Sequence, residues 1–449
     1  MRSSEVRQRF IRYYQNQGFR VVPRGSLLDP SVPMTFVMSA GLAQIESTVV
    51  ESKDHSGDRY VLVQPCFRHF DLERVGQSPV HLSLFEMGGA FTFGMRSKED
   101  TIWEIWRFLT GELGFEEEQL GVTYFAGGQL DGHKLDEDEE TIQAWRRIGF
   151  RPSQIAGLGT RANLWKQGGG ISGKQRFRKC ALTTEIFFDR GSERRCASVC
   201  RPGCQCGRFI EIMNVLFIHW QLDQVTQTLS SLPTPFDETV IGVERAAMAL
   251  QEKPSVFDLE CLTPLVRLVQ AYHQATDYVV STKMIESERL IADHTRALLF
   301  LVADGAPPPG KGGRSGIIKK LIRGILTHQK TLGVTQATFI EDLVDSVLDL
   351  YQDQNPGLET GRGCLLEYFE EEADRFEQTL AAGFRRLDRI VRHRENGAIS
   401  GQQALDLVKR RGIPLPLLEV ELDHRGINFN KQEYWAAYAR WKQAEAGTR

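Results

Sequence analysis

Two apolar runs on either side of a polar loop form the clearest local pattern in the chain. The first run ends at Cys66 and Phe67, the second extends from Leu82 to Phe93, and charged residues and turn formers fill the loop between them. This pattern predicts two antiparallel strands joined by a polar loop. Arg68 stands where the first strand gives way to the loop. The planar guanidinium group of Arg68 can bond two phosphate oxygens at once, which suits a phosphate contact. The alternative interpretation is an ordinary ion pair at the surface.

Helices and strands alternate through the first half of the chain. Apolar residues repeat at helical spacing within residues 3–18 and 99–113. Short apolar runs predict strands at residues 19–22, 122–125, 183–189 and 209–220. Glu211 and Asn214 interrupt the last of these runs. Polar residues inside an apolar strand either hydrogen-bond within the core or face a ligand.

A strand that breaks at Gly242 is followed by a predicted helix that begins near Val243. Arg245 falls in the first turn of this helix, where backbone N–H groups and the helix dipole favour an anion. The position therefore suits a phosphate contact. A surface ion pair with Asp237 or Glu238 is the alternative.

The second half of the chain is mainly helical in its pattern. Helices are predicted at residues 258–275, 285–303, 316–328, 339–354 and 366–396, and from residue 432 onward, with a strand-like run at 417–422. The helix at 316–328 is amphipathic, with Lys319, Lys320 and Arg323 on its polar side. That face is either a contact for an RNA backbone or an ordinary solvated surface.

Composition indicates an ordinary globular protein. The chain has 449 residues, is 41% hydrophobic and 25% charged, and carries a formal net charge of -3. Any polyanion must therefore be met by a local basic patch rather than by a global field. The sequence shows neither a signal peptide nor an apolar run long enough for a membrane span, so we expect a cytoplasmic protein.

Four of the eight cysteines crowd into a short segment at Cys196, Cys200, Cys204 and Cys206. Four thiolates can hold zinc in a tetrahedron, although these spacings depart from the common two-residue knuckle. The segment is therefore interpreted with equal weight as a zinc site or as free thiols.

Several motifs, taken together and in order, resemble those of the alanyl-tRNA synthetase family of class II aminoacyl-tRNA synthetases. The chain contains, in this order, QPCFRHFDLERVG, FEMGGAFTFG, TEIFFD, CGRFIEIMNVLF, GVERAAMAL and RLIADHTRALLFLVADG. The resemblance covers nearly the whole chain. It implies an α+β fold: a class II antiparallel sheet flanked by helices over residues 1–250, followed by a mainly helical tRNA-recognition domain over residues 251–449.

The activity that the resemblance implies is a ligase reaction of protein biosynthesis. Alanine or a similar small amino acid would be activated by ATP and Mg²⁺ to an adenylate and transferred to tRNA. The family's editing and C-terminal domains are expected to be absent. The oligomeric state is not predicted.

The resemblance also assigns roles to individual residues. It implies that Arg68 grips the α-phosphate of ATP, that Arg245 meets the γ-phosphate, and that Glu86 and Met87 lie at the adenine. The implied amino-acid site contains Trp165, Asn214, Glu238 and Gly242, with Glu238 at the α-amino group. The implied tRNA contacts are Arg314, Lys319, Lys320 and Arg323.

Departures from the family pattern leave three hypotheses open. Glu238 stands for an aspartate and Val240 for a glycine, which should reshape a pocket built for alanine. The family's asparagine and aspartate that read the tRNA acceptor stem have no counterparts in residues 305–316 and 409–414. The protein is then a divergent alanine–tRNA ligase, a paralog that passes an activated amino acid to another acceptor, or a non-catalytic RNA-binding or regulatory protein.

Overall fold

The protein forms two compact units in the computed structural model, which describes residues 1–29, 36–37, 41–42, 44–45, 57–168, 176–273, 281–392 and 398–446. The first unit contains Met1–Leu72 and Ser78–Thr263, and the second contains Glu73–Gln77 and Pro264–Arg449. The two units are described separately below.

The first unit is built on one large sheet. Its strands are β1 (Arg20–Val21), β2 (Arg59–Phe67), β3 (Leu84–Phe93), β4 (Leu120–Phe125), β7 (Ile155–Leu158), β8 (Leu164–Lys166), β9 (Phe177–Asp189), β10 (Phe209–Asp223) and β11 (Leu229–Gly242), and the short strands β5 (Gly128–Leu130) and β6 (His133–Leu135) form a separate hairpin. The order across the sheet is β1-β2-β3-β11-β10-β9-β4-β7, with β8 paired to β9. All pairs are antiparallel except β1 with β2 and β4 with β7. The predicted hairpin around the polar loop is confirmed as β2 and β3, and the predicted antiparallel sheet is confirmed with parallel pairs near its two edges.

Helices cover the sheet of the first unit. They are α1 (Ser3–Asn16), α2 (Lys98–Arg107), α3 (Glu139–Ile148), α4 (Thr160–Asn163) and α5 (Val243–Leu250). Helix α1 buries Val6, Phe10 and Tyr14, which share one face at helical spacing. Gly88 of β3 permits its close approach, because a Cβ atom at that position would lie 2.8 Å from a ring carbon of Phe10.

The second unit is mainly helical, as predicted. Its elements are α6 (Thr263–His273), α7 (Thr282–Ala303), α8 (Gly313–Thr331), α9 (Phe339–Tyr351), α10 (Arg362–Arg392), β12 (Ala398–Ile399), α11 (Gly401–Lys409), α12 (Leu415–His424), β13 (Asn428–Phe429) and α13 (Lys431–Ala446). Among the described helices of both units, none combines the length and the apolar character that crossing a bilayer requires.

The strand predicted at 417–422 is wrong, because this segment belongs to helix α12. Proline in the first turn of a helix is favourable, since its missing N–H would have no partner there. Leu418 and Leu422 are buried four residues apart, which is helical spacing. The apolar run is too short to distinguish the two periodicities by pattern alone.

A buried ion pair ties α2 to α3 in the first unit. Lys98 Nζ lies 2.6 Å from Asp138 Oδ2, and the two side chains are 7% and 3% exposed. Asp138 also caps α3 by accepting a hydrogen bond from the backbone N–H of Thr141. Removing the carboxylate would therefore leave a buried ammonium group without its partner and a helix without its cap.

We expect Asp138→Ala to lower the free energy of unfolding by about 3–5 kcal/mol, the usual cost of breaking a buried ion pair from one side. Denaturant unfolding followed by circular dichroism measures the change. Asp136→Ala is the matched control, because its pair with Lys134 is 91% exposed at the carboxylate. Equal stability of the two variants would show that the buried pair does not stabilise the unit.

Candidate active site

A cavity of about 310 Å³ opens on one face of the sheet in the first unit. Its walls come from β3, β10 and β11, from the first turn of α5, and from the loop that follows β2. The lining residues are Leu42, Arg68, Asp71, Val80, His81, Leu82, Phe85, Met87, Trp165, Glu211, Ile212, Met213, Asn214, Leu216, Glu238, Val240, Gly242, Glu244, Arg245 and Val256. Seven of the eight residues that the sequence assigned to ATP or the amino acid are in this set, and Glu86 is the exception.

Arg68 follows the last residue of β2 and is held where the strand ends. Its backbone N–H donates to the carbonyl of Ser83, which closes the hairpin beside it. The guanidinium carbon lies 5.5 Å from the ring centre of Phe85, and the side chain is 38% exposed. Its ion pair with Asp71 is loose, at 3.9 Å. Because this ion pair is weak and the guanidinium is held in place, a phosphate can replace Asp71 as the partner of Arg68.

Arg245 enters the cavity from the first turn of α5. Its Nη1 lies 3.3 Å from Glu211 Oε2 and 3.4 Å from the backbone carbonyl oxygen of Glu211. The alternative interpretation of Arg245 was an ion pair with Asp237 or Glu238. Its ion-pair partner in the structure is instead Glu211 of β10. Arg245 therefore combines with Glu211 into a charged pair at the rim of the cavity.

Met87 and Glu86 point to opposite faces of β3, because side chains alternate along a strand. Met87 lines the cavity, whereas the carboxylate of Glu86 forms an ion pair with Arg7 of α1. The backbone N–H of Glu86 donates to Glu244 Oε2 at 3.0 Å. The structure thus separates the side chains of Glu86 and Met87, the two residues expected at the adenine.

A second part of the cavity combines polar and apolar groups. Glu238 is 3% exposed and projects from β11 beside Val240. The amide oxygen Oδ1 of Asn214 is buried and has no hydrogen-bond partner. Trp165 of β8 and Gly242 complete this end. A buried carboxylate and an unsatisfied amide oxygen are both acceptors, so together they suit an ammonium group.

Glu185 is a titratable residue beside this site that the sequence did not identify. It pairs with Asn214 in the register of β9 and β10. Burial, and after it the negative charge of Glu211, raises the pKa of Glu185 to about 8. The sequence feature that could have identified Glu185 is its position inside the strand segment TTEIFFD, where a carboxylate precedes three apolar residues. The same signal singled out Glu211, whose carboxylate is a candidate ligand for Mg²⁺ because hard cations prefer oxygen ligands.

The four clustered cysteines meet in space at the connection between β9 and β10. All four sulfur atoms lie within 4.8 Å of one another. Cys196 and Cys204 are separated by 3.5 Å between sulfurs, and Cys200 and Cys206 by 3.7 Å. Hydrogen bonding to the neighbouring thiol of Cys204 raises the pKa of Cys196 to about 12. The cluster can hold a metal ion, since a tetrahedral zinc with bonds of about 2.3 Å separates its sulfurs by about 3.8 Å.

The basic face predicted on the helix now called α8 does not form as a single exposed surface. Arg323 Nε lies 2.6 Å from Glu372 Oε1 of α10, and Lys319 Nζ lies 4.0 Å from the same oxygen. Glu372 is fully buried, which draws both cations inward. Lys320 is exposed and Arg314 is half-buried at the start of the helix.

The chain is similar in sequence to known tRNA synthetases. Residues 5–447 match the family described as tRNA synthetases class II (A). The alanine–tRNA ligase of Dehalococcoides mccartyi is 29% identical over 427 residues, covering 95% of this chain and 47% of that relative. The alanine–tRNA ligase of Thermotoga maritima is 30% identical over 437 residues, covering 97% of this chain and 48% of that relative. The chain thus spans about half the length of these curated relatives.

The raised pKa of Glu185 leads to a prediction about stability. Its pKa in the folded protein, about 8, lies above its ordinary value of 4.5. The folded state therefore binds the proton more tightly, so its contribution to stability is full below pH 4.5 and is lost as pH rises towards 8. We expect Glu185→Gln to remove this loss, and hence to flatten the dependence of the unfolding free energy on pH across that window.

Denaturant unfolding at several pH values measures this dependence. Glu118→Gln is the matched control, because Glu118 is exposed in the same unit. The same pH slope in the wild type and in Glu185→Gln would contradict a buried, protonated Glu185.

Proposed function

Because the chain belongs to the class II (A) tRNA synthetase family, we propose that it activates alanine or a similar small amino acid with ATP and transfers it to tRNA. The observation that carries the proposal is the convergence of two arginines and an ammonium-binding pair on one cavity. Arg68 and Arg245 supply the positive charge, and Glu238 supplies the buried carboxylate. In this proposal the protein acts in the cytoplasm, where translation consumes charged tRNA.

The proposed first step needs positioning and charge neutralisation more than acid–base chemistry. The amino-acid carboxylate attacks the α-phosphorus of ATP, the bond to the bridging oxygen breaks, and pyrophosphate leaves with the electron pair. Arg68 holds the α-phosphate through its fork, and Arg245 meets the far end of the triphosphate. Bound Mg²⁺ would neutralise phosphate charge, and Glu211 would hold it.

The amino-acid end of the cavity supports a small substrate. The α-ammonium group of the substrate would donate to the carboxylate of Glu238 and to Asn214 Oδ1, the buried atom that otherwise has no partner. Val240 stands two residues from Glu238 on the same face of β11 and projects into the cavity. Its branched side chain limits the space beside the ammonium site, as does the indole of Trp165.

A second candidate function is transfer of the activated amino acid to an acceptor other than alanine tRNA. The observation that favours it is the pairing of Lys319 and Arg323 with buried Glu372, which partly neutralises two of the four expected tRNA contacts, although both side chains remain partly exposed. The first step and its residues are the same in both candidates. The two differ only in the acceptor.

Amino-acid-dependent exchange between pyrophosphate and ATP tests the shared first step with purified protein. We expect exchange with alanine or another small amino acid and no exchange with large ones. Charging of alanine tRNA then distinguishes the acceptors: charging supports the ligase, and exchange without charging supports the second candidate. Absence of exchange with every amino acid would overturn both and leave a non-catalytic role.

Arg68→Ala should reduce exchange by about 10²–10³-fold, the range for removing one group that stabilises transition-state charge. Arg68→Lys should recover part of the rate, because it restores the charge but not the bidentate fork. Arg375→Ala is the matched control, since Arg375 pairs with Glu371 on the surface of α10. Wild-type exchange in Arg68→Ala would remove Arg68 from the phosphate role.

We also propose zinc as the ion that the four cysteines hold. The sulfur separations of 3.5 and 3.7 Å match the edges of a zinc tetrahedron and exceed the bond length of a disulfide, about 2.05 Å. Metal analysis of the purified protein should find about one zinc per chain, and Cys200→Ser with Cys206→Ser should abolish it. A metal-free protein whose mass shows two disulfides would contradict the assignment.

A further inference from the structure

The connection that carries the four cysteines is a long irregular segment held against the sheet. It spans residues 190–208, and its regular structure is limited to the short turn Ser192–Arg194, all within a stretch that the structure describes. Pro202 and Gly203 press on the neighbouring strands: a Cβ atom on Gly121 of β4 would lie 2.6 Å from Pro202 Cγ. Gly203 has φ +86°, and a Cβ atom there would lie 2.7 Å from Leu158 of β7. Ordering such a segment costs conformational entropy, which metal binding can offset.

Arg208 links the cysteine cluster to the end of the β9–β10 hairpin. Its Nε donates to Asp189 Oδ1 at 2.6 Å, and its Nη2 donates to the second oxygen of the same carboxylate. Its Nη1 reaches the backbone carbonyl oxygen of Cys200 at 3.5 Å. The backbone carbonyl of Arg208 also accepts a hydrogen bond from the backbone N–H of Arg190, which adds one hydrogen bond to the end of the β9–β10 ladder. One buried side chain therefore touches both the last residue of β9 and the backbone of a cysteine in the cluster.

The same hairpin end lies next to the ATP end of the cavity. Phe209 pairs with Asp189, and Glu211 pairs with Phe187. The register of β10 against β9 shifts between Glu211 and Met213. A bulge at this point makes the direction of the Glu211 side chain depend on how the strand end is held. Glu211 in turn forms the pair with Arg245 at the rim of the cavity.

We propose that the ion bound by the four cysteines clamps the β9–β10 hairpin end, and that Arg208 is the positioning residue through which the clamp orients Glu211 and Arg245 for MgATP. This inference rests on the proposed ATP site and on the proposed zinc. The inference predicts that the affinity for MgATP depends on whether the cysteines hold their metal ion. None of the four cysteines is among the residues that line the cavity. The competing account is a zinc-stabilised surface loop with no effect on the site.

Arg208→Gln tests the clamp without touching a metal ligand. We expect this variant to keep about one zinc per chain, to lose hydrogen-exchange protection at the amides of residues 186–189 and 209–212, and to raise the Kd for MgATP by roughly tenfold. Zinc-depleted wild type and Cys200→Ser should show the same two changes. Readdition of zinc should reverse them in the depleted wild type and not in Arg208→Gln.

Arg176→Gln is the matched control, because Arg176 pairs with Asp223 at the opposite end of the same hairpin. Cys364→Ser controls for loss of a thiol in the second unit. Both should leave zinc content, exchange protection at 209–212 and the Kd for MgATP unchanged. An effect of Arg176→Gln as large as that of Arg208→Gln would overturn the inference, because the constraint would then not be specific to the metal-bearing end.

The outcomes separate this inference from the proposed function. MgATP binding is measured without amino acid or tRNA, so failure of amino-acid activation leaves the test intact. If the wild type binds no MgATP, the proposed function fails, and the hydrogen-exchange comparison alone decides whether the clamp exists. If Cys200→Ser does not fold, Arg208→Gln still decides. Unchanged protection and unchanged Kd in zinc-bound Arg208→Gln would overturn the inference.

Discussion

The register of the central antiparallel strands is the constraint on which the site depends. Gly89 of β3 pairs with Val240 of β11, Val240 pairs with Asn214 of β10, and Asn214 pairs with Glu185 of β9. These four residues form one row across the sheet, on the face that carries the cavity. A slip of one residue between any two strands would turn the residues on one side of the slip to the opposite face. The chemistry of the site is therefore set by strand pairing before any side chain meets a ligand.

Charge balance within the cavity is compatible with the proposed binding of a polyanion. Arg245 is paired with Glu211, and Arg68 lies near Asp71, so neither guanidinium is buried without a counter-charge. In the proposed function a triphosphate would replace these carboxylates as the partner of both arginines, and Glu211 would then be available to hold a cation. Glu185 fits the same logic: its pKa of about 8 keeps it mainly protonated at neutral pH, which avoids a buried negative charge next to Glu211.

The sequence was sufficient to predict the placement of residues that lie on ordered motifs. It was insufficient to predict contacts between residues that are distant in the chain. Arg68, Asn214 and Arg245 could be predicted because each motif fixes its own strand or helix end. The ion pair of the Glu86 side chain with Arg7 could not be predicted, because Arg7 lies on another element and 79 residues away. The inward turn of Arg323 could not be predicted, because Glu372 lies 49 residues away on another helix. A pattern of charge on one helix contains no information about a buried carboxylate on its neighbour.

In the proposed function, one part of the site would select the amino acid and another part would perform the chemistry. In the proposed function the arginines would bind the phosphates of ATP, which take part in the activation of every amino acid. In that proposal Glu238 would hold the α-ammonium group common to all amino acids, so discrimination by size would fall to Val240 and Trp165. A carboxylate at one position sets where the ammonium group sits, and a branched side chain two residues further sets how much volume remains beside it. On this proposal, a change of amino acid specificity would require changes at Val240 or Trp165, while Glu238 and the two arginines could stay as they are.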